Sequence, residues 1–371
     1  MATLSQVASA IENWAPSATA ESYDNVGLLL GRPESEIARG IVALDLTPAV
    51  VQEAIDLNAQ IIVTHHPPIF KPLRSITSTD FVGSMLLRLA EHGIGVYSAH
   101  TNLDAARDGV SFELATRLGL SAIRMLEPAS GAMMKLVTFV PASHAESVRN
   151  AMAEAGAGRI GNYDRCSFMV RGTGTFRAGT GANPTIGTEG SFESVEEVKL
   201  EMEVEESRLK AVVAALTGAH PYEEVAYDVF RLHKPSSQTG MGAVGELAAA
   251  EGLFAFLERV RVLLNSEGIR FTGSSDKEIR RVAVCGGSGG SLISAAMNAG
   301  ADVLVTADLS YHRFFEVLDS AGSTRMALVD AGHYETEAHT EELLAERLSE
   351  AIPDVRWEAT GYRTSPIGTY P

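Results

Sequence analysis

Residues 41–66 read IVALDLTPAVVQEAIDLNAQIIVTHH, and this stretch decides the fold class. Its first apolar run, Gly40 to Asp45, has the length of a buried strand, and Thr47-Pro48 then supplies an N-cap and a first-turn proline for a helix through Leu57. A second apolar run, Gln60 to Thr64, ends in His65-His66 followed by two prolines. Strand, helix, strand is the unit of a parallel sheet covered by helices, and such sheets carry their chemistry at the strand ends. Downstream, a helix is expected over Asp80 to His92. Residues 93–118, GIGVYSAHTNLDAARDGVSFELATRL, then give a third strand, Ile94 to Ser98, that leads to His100 and Asp104. Asp108 is the expected cap of an amphipathic helix with Val110, Leu114 and Leu118 on one side.

The same order returns near the other end of the chain. Residues 281–308 read RVAVCGGSGGSLISAAMNAGADVLVTAD and residues 325–348 read RMALVDAGHYETEAHTEELLAERL. In both copies the second strand ends in Val-Thr plus two residues and the third ends in His-x3-acid, so His100 and Asp104 correspond to His333 and Glu337. Such a duplication implies two similar α/β halves facing each other across a cleft. Histidine is the commonest metal ligand, and adjacent imidazoles stiffened by prolines diverge, so His65 and His66 could serve different ions. His333 and Glu337, four apart at a helix start, share one face. With Asp104 they complete a set of five candidate ligands.

Between residues 133 and 233 the repeat is interrupted by a different pattern. KLVTFVP, CSFMVRGTGTF, VKLEMEVE and VAYDVFRL read as strands, and HAESVRNAMAEAG and SRLKAVVAALTGAHP as helices. This β-α-β-β-α-β order is a ferredoxin-like layout. The chain therefore divides into residues 1–132, the first half of a core; 133–233, an insert; and 234–371, the second half.

The motifs YDNVGLLLG at 23–31, VTHHPPIF at 63–70, SAHTNLD at 98–104, GGSGGS at 286–291 and GHYETE at 332–337 are similar to those of the YbgI/YqfO family, the GTP cyclohydrolase I type 2 homologues. They span nearly the whole chain in the family's order. The resemblance implies a duplicated three-layer α/β core with a dinuclear metal centre on His65, His66, Asp104, His333 and Glu337, the Glu bridging. It also implies a homohexameric ring, and AHPYEEVAYDVF at 219–230 resembles the PII-like or CutA-like insert of the longer members. Two departures, Ala307 where the family has Gly and TSP at 364–366 where it has TNP, leave the ligand set intact.

Composition narrows the partners. A formal net charge of −17 opposes attachment to nucleic acid, because phosphate backbones are held by Lys and Arg. No apolar run reaches about 18 residues and the N-terminus lacks a basic signal-peptide start, so no membrane partner is expected and the cytoplasm is the expected compartment. Two distant cysteines, Cys166 and Cys285, make no disulfide framework, and Cys285, just before GGSGG, either approaches the site or is a buried strand thiol, the reading its apolar flanks favour.

Other residues are candidates with plainer alternatives. His100 is a neighbour of the metals, a substrate contact or a packed residue. Asp308 and His312 mirror the His pair and either line the cleft or serve as cap and surface groups. Gly286, Gly287, Ser288 and Gly289 follow a strand and open a helix, so their amides either hold a phosphate or form a tight turn. His220, Tyr222 and Glu223 either bind a ligand or a second metal, or form a helix-ending turn after Pro221. Mixed nitrogen and oxygen ligands without thiolate fit two divalent ions among Zn, Mn, Fe or Ni. The function expected is that of a metal-dependent hydrolase acting on a nucleotide or related small molecule, with GTP ring opening and formate release its specific form. The alternatives are a metal-binding or delivery protein, or a module regulated by a small ligand on the insert.

Overall fold

Alternation of apolar strands with amphipathic helices produces, in the computed structural model, two sheets with apolar cores on both faces. The structure describes residues 2–130, 132–236 and 238–368. They divide into two compact units, one of residues 1–127 with 239–371 and one of residues 128–238.

The larger unit holds the two repeat copies. In its first sheet the strands Arg356–Ala359, Arg39–Ala43, Ile61–Thr64 and Gly95–Ser98 run parallel in that order, and Gly27–Leu30 closes the edge antiparallel. All four residues of Ile61–Thr64 and of Gly95–Ser98 are buried, as a parallel strand covered on both faces requires. The second sheet has Glu278–Ser288, Val303–Ala307 and Ala327–Asp330 parallel and consecutive, flanked by antiparallel Gly240–Gly252 and Arg270–Thr272. Each copy thus lays down three parallel strands side by side in chain order, with its candidate residues at their carboxyl ends.

Local signals set the helices. Thr47 accepts the Val50 amide at 3.3 Å and Pro48 opens the helix Pro48–Asp56. Asp80 accepts the Gly83 amide at 2.7 Å ahead of Phe81–Glu91. Asp108 does not cap its helix. It adopts a left-handed φ of 59°, and Gly109 takes the N-cap before Val110–Arg117. A Cβ on Gly109 would lie 2.1 Å from the Leu103 carbonyl oxygen, so glycine is needed there, and Asp tolerates the left-handed turn that precedes it.

The smaller unit carries strands Met133–Pro141, Phe168–Arg177, Phe192–Glu205 and Tyr227–Arg231 with helices Ala145–Glu154 and Leu209–Ala219. Along the chain these run β-α-β-β-α-β, and the sheet order is fourth, first, third, second, with every neighbouring pair antiparallel. Leu136, Val140, Val198, Leu200 and Met202 share one face of the sheet, where they pack on Val148, Val212 and Leu216 of the helices. Among the described residues no helix is long and apolar enough to cross a membrane.

Candidate metal centre

Beyond Ile61–Thr64 the chain bends but stays tied to the neighbouring strand, the His65 amide bonding to Ala43 O at 3.2 Å and the His66 amide to Leu44 O at 2.9 Å. His65 is fully buried while His66 is half-buried, their ring centroids 5.0 Å apart. Behind them a buried Thr64–Ser98 hydroxyl pair at 2.7 Å ties the two strand ends together.

Each imidazole is fixed through Nδ1. His65 bonds to the Ala99 carbonyl oxygen at 2.7 Å, His66 to Asp45 at 2.7 Å, His333 to Asp308 at 2.7 Å and His100 to Asp24 at 2.9 Å. With Nδ1 held by an acceptor, Nε2 is left as the ring's lone-pair nitrogen, the arrangement that orients metal-ligating histidines. The Nε2 atoms converge on Glu337. Its Oε2 stands 3.0 Å from His66 Nε2 and 3.1 Å from His333 Nε2, and its Oε1 3.8 Å from His65 Nε2. Asp104 Oδ1 lies 3.6 Å from His65 Nε2.

These contacts are close without being hydrogen bonds. His65 Nε2, Asp104 Oδ1 and Glu337 Oε2 are all buried with no hydrogen-bond partner. Buried polar atoms are normally paired, and three orphans within one cluster are what a cation would satisfy. The donor atoms form two groups that share the acid, His65–Asp104–Glu337 and His66–His333–Glu337, each within 4.8 Å. A third group joins His100 to His65 and His66. These buried His and carboxylate groups could hold a metal ion.

The charges are strongly coupled. Burial works to raise the Glu337 pKa, but His333, His65 and His66 hold it well below the ordinary carboxylate range. Burial, reinforced by the Glu337 charge against the pull of His65, pushes Asp104 up to about 7. Burial lowers His66, yet Asp45 and Glu337 outweigh it and raise the ring to about 10. Glu337 likewise raises His333 to about 9. Without a cation the site therefore gathers protons, and a metal would displace them.

All five candidate ligands, with His100 and Asp308, are thus brought together. His312 is not: it sits exposed on a short 3₁₀ turn, Tyr311–Phe315, against the Tyr311 ring, and joins none of the ligand groups found among the described residues. Nor do the glycine-loop amides offer a phosphate site. The amides of Gly286, Gly287 and Gly289 donate to the hydroxyls of Ser111, Thr336 and Thr306 at 3.4, 3.0 and 2.8 Å. Ser288 is the last residue of its strand, and the helix beyond spans only Ile293–Asn298. Glycine in this turn has a further reason. A Cβ on Gly287 would lie 2.2 Å from Glu337 Oε1 and 3.1 Å from His333 Nε2, so this loop is the floor on which the acid rests. Cys285 is a buried thiol whose pKa burial pushes up.

Two acids escaped sequence reasoning. Asp45 follows the first strand and orients His66, and Asp24 lies in YDNVGLLLG and orients His100. The signal for each was its position, an acid beside a strand end or in a shared motif. Its histidine partner is 21 or 76 residues away and could not be assigned from spacing.

The chain has relatives among known proteins. Residues 2–366 match the model of the Duf34/NIF3 (NGG1p interacting factor 3) family. A Halalkalibacterium halodurans protein named GTP cyclohydrolase 1 type 2 homolog is 39% identical over 361 residues, covering 96% of each chain. A Bacillus subtilis protein of the same name is 39% identical over 330 residues, 89% of this chain and 87% of its own. Among solved structures, a Bacillus cereus protein related to NIF3 superposes with a TM-score of 0.86 at 37% identity, covering 100% of this chain and 99% of that one. With a family match over nearly its full length and relatives at this identity, the chain belongs to the DUF34/NIF3 family.

Proposed function

We propose that the cluster is a dinuclear metal centre and that the protein is a metal-dependent hydrolase acting on a nucleotide or related small molecule. The observation that carries this reading is the sharing of Glu337 between two histidine-containing groups whose buried donor atoms lack partners. In this reading His65 and Asp104 hold one ion, His66 and His333 the other, and Glu337 both. Two divalent ions there would act as Lewis acids and bring the ionisation of a water molecule toward neutral pH. The chain's own contribution is to orient the rings through Ala99, Asp45 and Asp308 and to present exposed aromatic surface beside them. Phe70 lies 6.2 Å from the His100 ring and 6.2 Å from Tyr23, and both aromatics are exposed. Such a surface suits stacking of a flat ring such as a purine.

GTP ring opening with release of formate is the specific form of the proposal, supported by the name that its relatives carry. Protein reconstituted with Zn, Mn, Fe or Ni should contain two ions per chain and release formate from GTP, and Glu337→Gln should lower both. Metal-loaded protein that turns over neither GTP nor a generic phosphoester would overturn the hydrolase reading and leave a metal-binding protein.

The unit of residues 128–238 is read as a ferredoxin-like domain of the PII/CutA kind, on the strength of its fourth-first-third-second strand order. The assembly proposed is a homohexameric ring of a small-molecule enzyme. Light scattering should return six times the chain mass of 39.4 kDa, and a particle of one chain mass would refute the ring.

A further inference from the structure

The smaller unit contains a cavity of about 540 Å³ on the sheet face opposite its helices. That volume lies within the range of small-molecule sites. Phe139, Phe176, Pro184, Ile186 and Tyr222 give it apolar walls. One carboxylate is built into it: Glu197 is more than nine-tenths buried, and the Tyr222 hydroxyl donates to its Oε1 at 2.9 Å. No other hydrogen-bond donor to this carboxylate is found among the described residues, so Oε2 is left without one.

The neighbouring strand is shaped around that group. Gly172 faces Glu197 across the antiparallel ladder, and a Cβ on Gly174 would lie 2.0 Å from Glu197 Oε2. Glycine inside a strand weakens it and marks a place where something must approach closely. Here it is the carboxylate that lies across the strand. The loop between the second and third strands supplies one wall and is tied down, the Asn183 amide donating to Glu223 at 2.9 Å and the Thr185 hydroxyl to the Pro221 carbonyl oxygen at 2.6 Å.

His220, a sequence candidate for a ligand here, is committed to the fold. Its Nε2 donates to the Phe139 carbonyl oxygen at 3.0 Å and its Nδ1 accepts the Tyr222 amide at 3.1 Å. Recognition therefore falls to Glu197 and the aromatic walls. Glu197, Glu223 and Glu224 stand against Arg177 alone among the charged lining residues, which disfavours an anionic ligand.

We propose that this cavity binds a small, largely apolar molecule presenting two adjacent N–H donors to Glu197. That chemistry is shared by amidinium and guanidinium groups and by the edge of a guanine-type ring. The test is calorimetric titration of the full chain with benzamidine, agmatine and guanosine, with benzoate as an anion of matched size. At least one donor probe should bind, benzoate should not, and Glu197→Gln should weaken binding by roughly ten- to a hundredfold. Tyr222→Phe, which keeps the carboxylate, should retain binding, and binding that survives His66→Ala assigns it to this cavity and not to the histidine cluster. If Glu197→Gln fails to fold, Glu197→Asp, whose carboxylate is withdrawn by one methylene, replaces it with the same expected loss. Three silent donor probes, unchanged affinity in the Glu197 variant, or a Glu197 variant altered only in oligomeric state would each overturn the proposal.

Discussion

Gly287→Ala isolates the contact on which the metal reading depends. Gly287 has a φ of +58°, where an added Cβ costs roughly 1–2 kcal/mol. That is a modest loss of stability, a few degrees in melting temperature. The effect on the cluster should be far larger. The new methyl would sit 2.2 Å from Glu337 Oε1, whereas ordinary contact begins at 3.4 Å, so the carboxylate must retreat by about 1.2 Å. Glu337 is only 3% exposed and has little room to do so. Ligand distances tolerate about 0.2 Å, so a displaced Glu337 ceases to be a ligand, and metal affinity should fall by roughly a hundredfold or more. Metal content after dialysis against a weak chelator, read beside a thermal melt, measures both effects. The metal-free protein gives an independent readout, because His66 and His333, held at about 10 and about 9 partly by Glu337, should titrate lower when that acid moves. Gly290→Ala is the control: its added Cβ would meet nothing closer than 3.5 Å, and its metal content should match that of the unmodified protein. A Gly287→Ala protein that keeps its metals and leaves both imidazoles unshifted would refute the reasoning.

Glu337→Gln should lower the occupancy of both ions, whereas His65→Ala should mainly cost one, because only the acid belongs to both groups; equal losses in metal-to-protein ratio would argue against sharing. A chain with Glu127 joined to Thr239 through a short Gly/Ser linker should fold and keep its metals, since every candidate ligand lies outside residues 128–238; failure to fold or complete loss of metal contradicts this. His339 is buried, and that burial lowers its pKa from 6.5 to about 4 although its Nε2 bonds to the Val110 carbonyl oxygen. Its contribution to stability is then full above pH 6.5 and lost as pH falls toward 4, because the unfolded chain takes up the proton first; the loss is about 3 kcal/mol. Urea unfolding at pH 7 and pH 4 should show that acid loss reduced in His339→Gln, and identical losses in both proteins would assign the acid sensitivity elsewhere.

Much of the fold was legible because the signals were local. Thr47 and Asp80 each accept an amide three residues away, and continuous apolar runs became doubly covered parallel strands. Reading failed where the deciding partner was remote. Nothing near GGSGGS announces that hydroxyls from Ser111, Thr306 and Thr336 take up its amides, and these hydroxyls come from three separate elements. Asp108 looked like a cap because the sequence does not display the Leu103 carbonyl that forces Gly109 into that place. Among the site residues, the legible ones were the adjacent histidines at a strand end and the His-x3-acid elements repeated between copies. Asp45 and Asp24, which hold the imidazoles without having a repeat partner, were not.

The repeat also accounts for the centre's asymmetry. After equivalent strands the first copy places His65 and His66 and the second places Asp308, which serves by orienting His333. After the next pair of strands the copies present His100 with Asp104 and His333 with Glu337. Here one methylene decides the roles. Asp104 comes to 3.6 Å of His65 Nε2, while the longer Glu337 reaches His66 and His333 with one oxygen and His65 with the other. The acid common to both groups is therefore the longer one. Shortening it in Glu337→Asp would withdraw the carboxylate from the imidazoles of both copies at once, and so uncouple two halves whose donor atoms meet there.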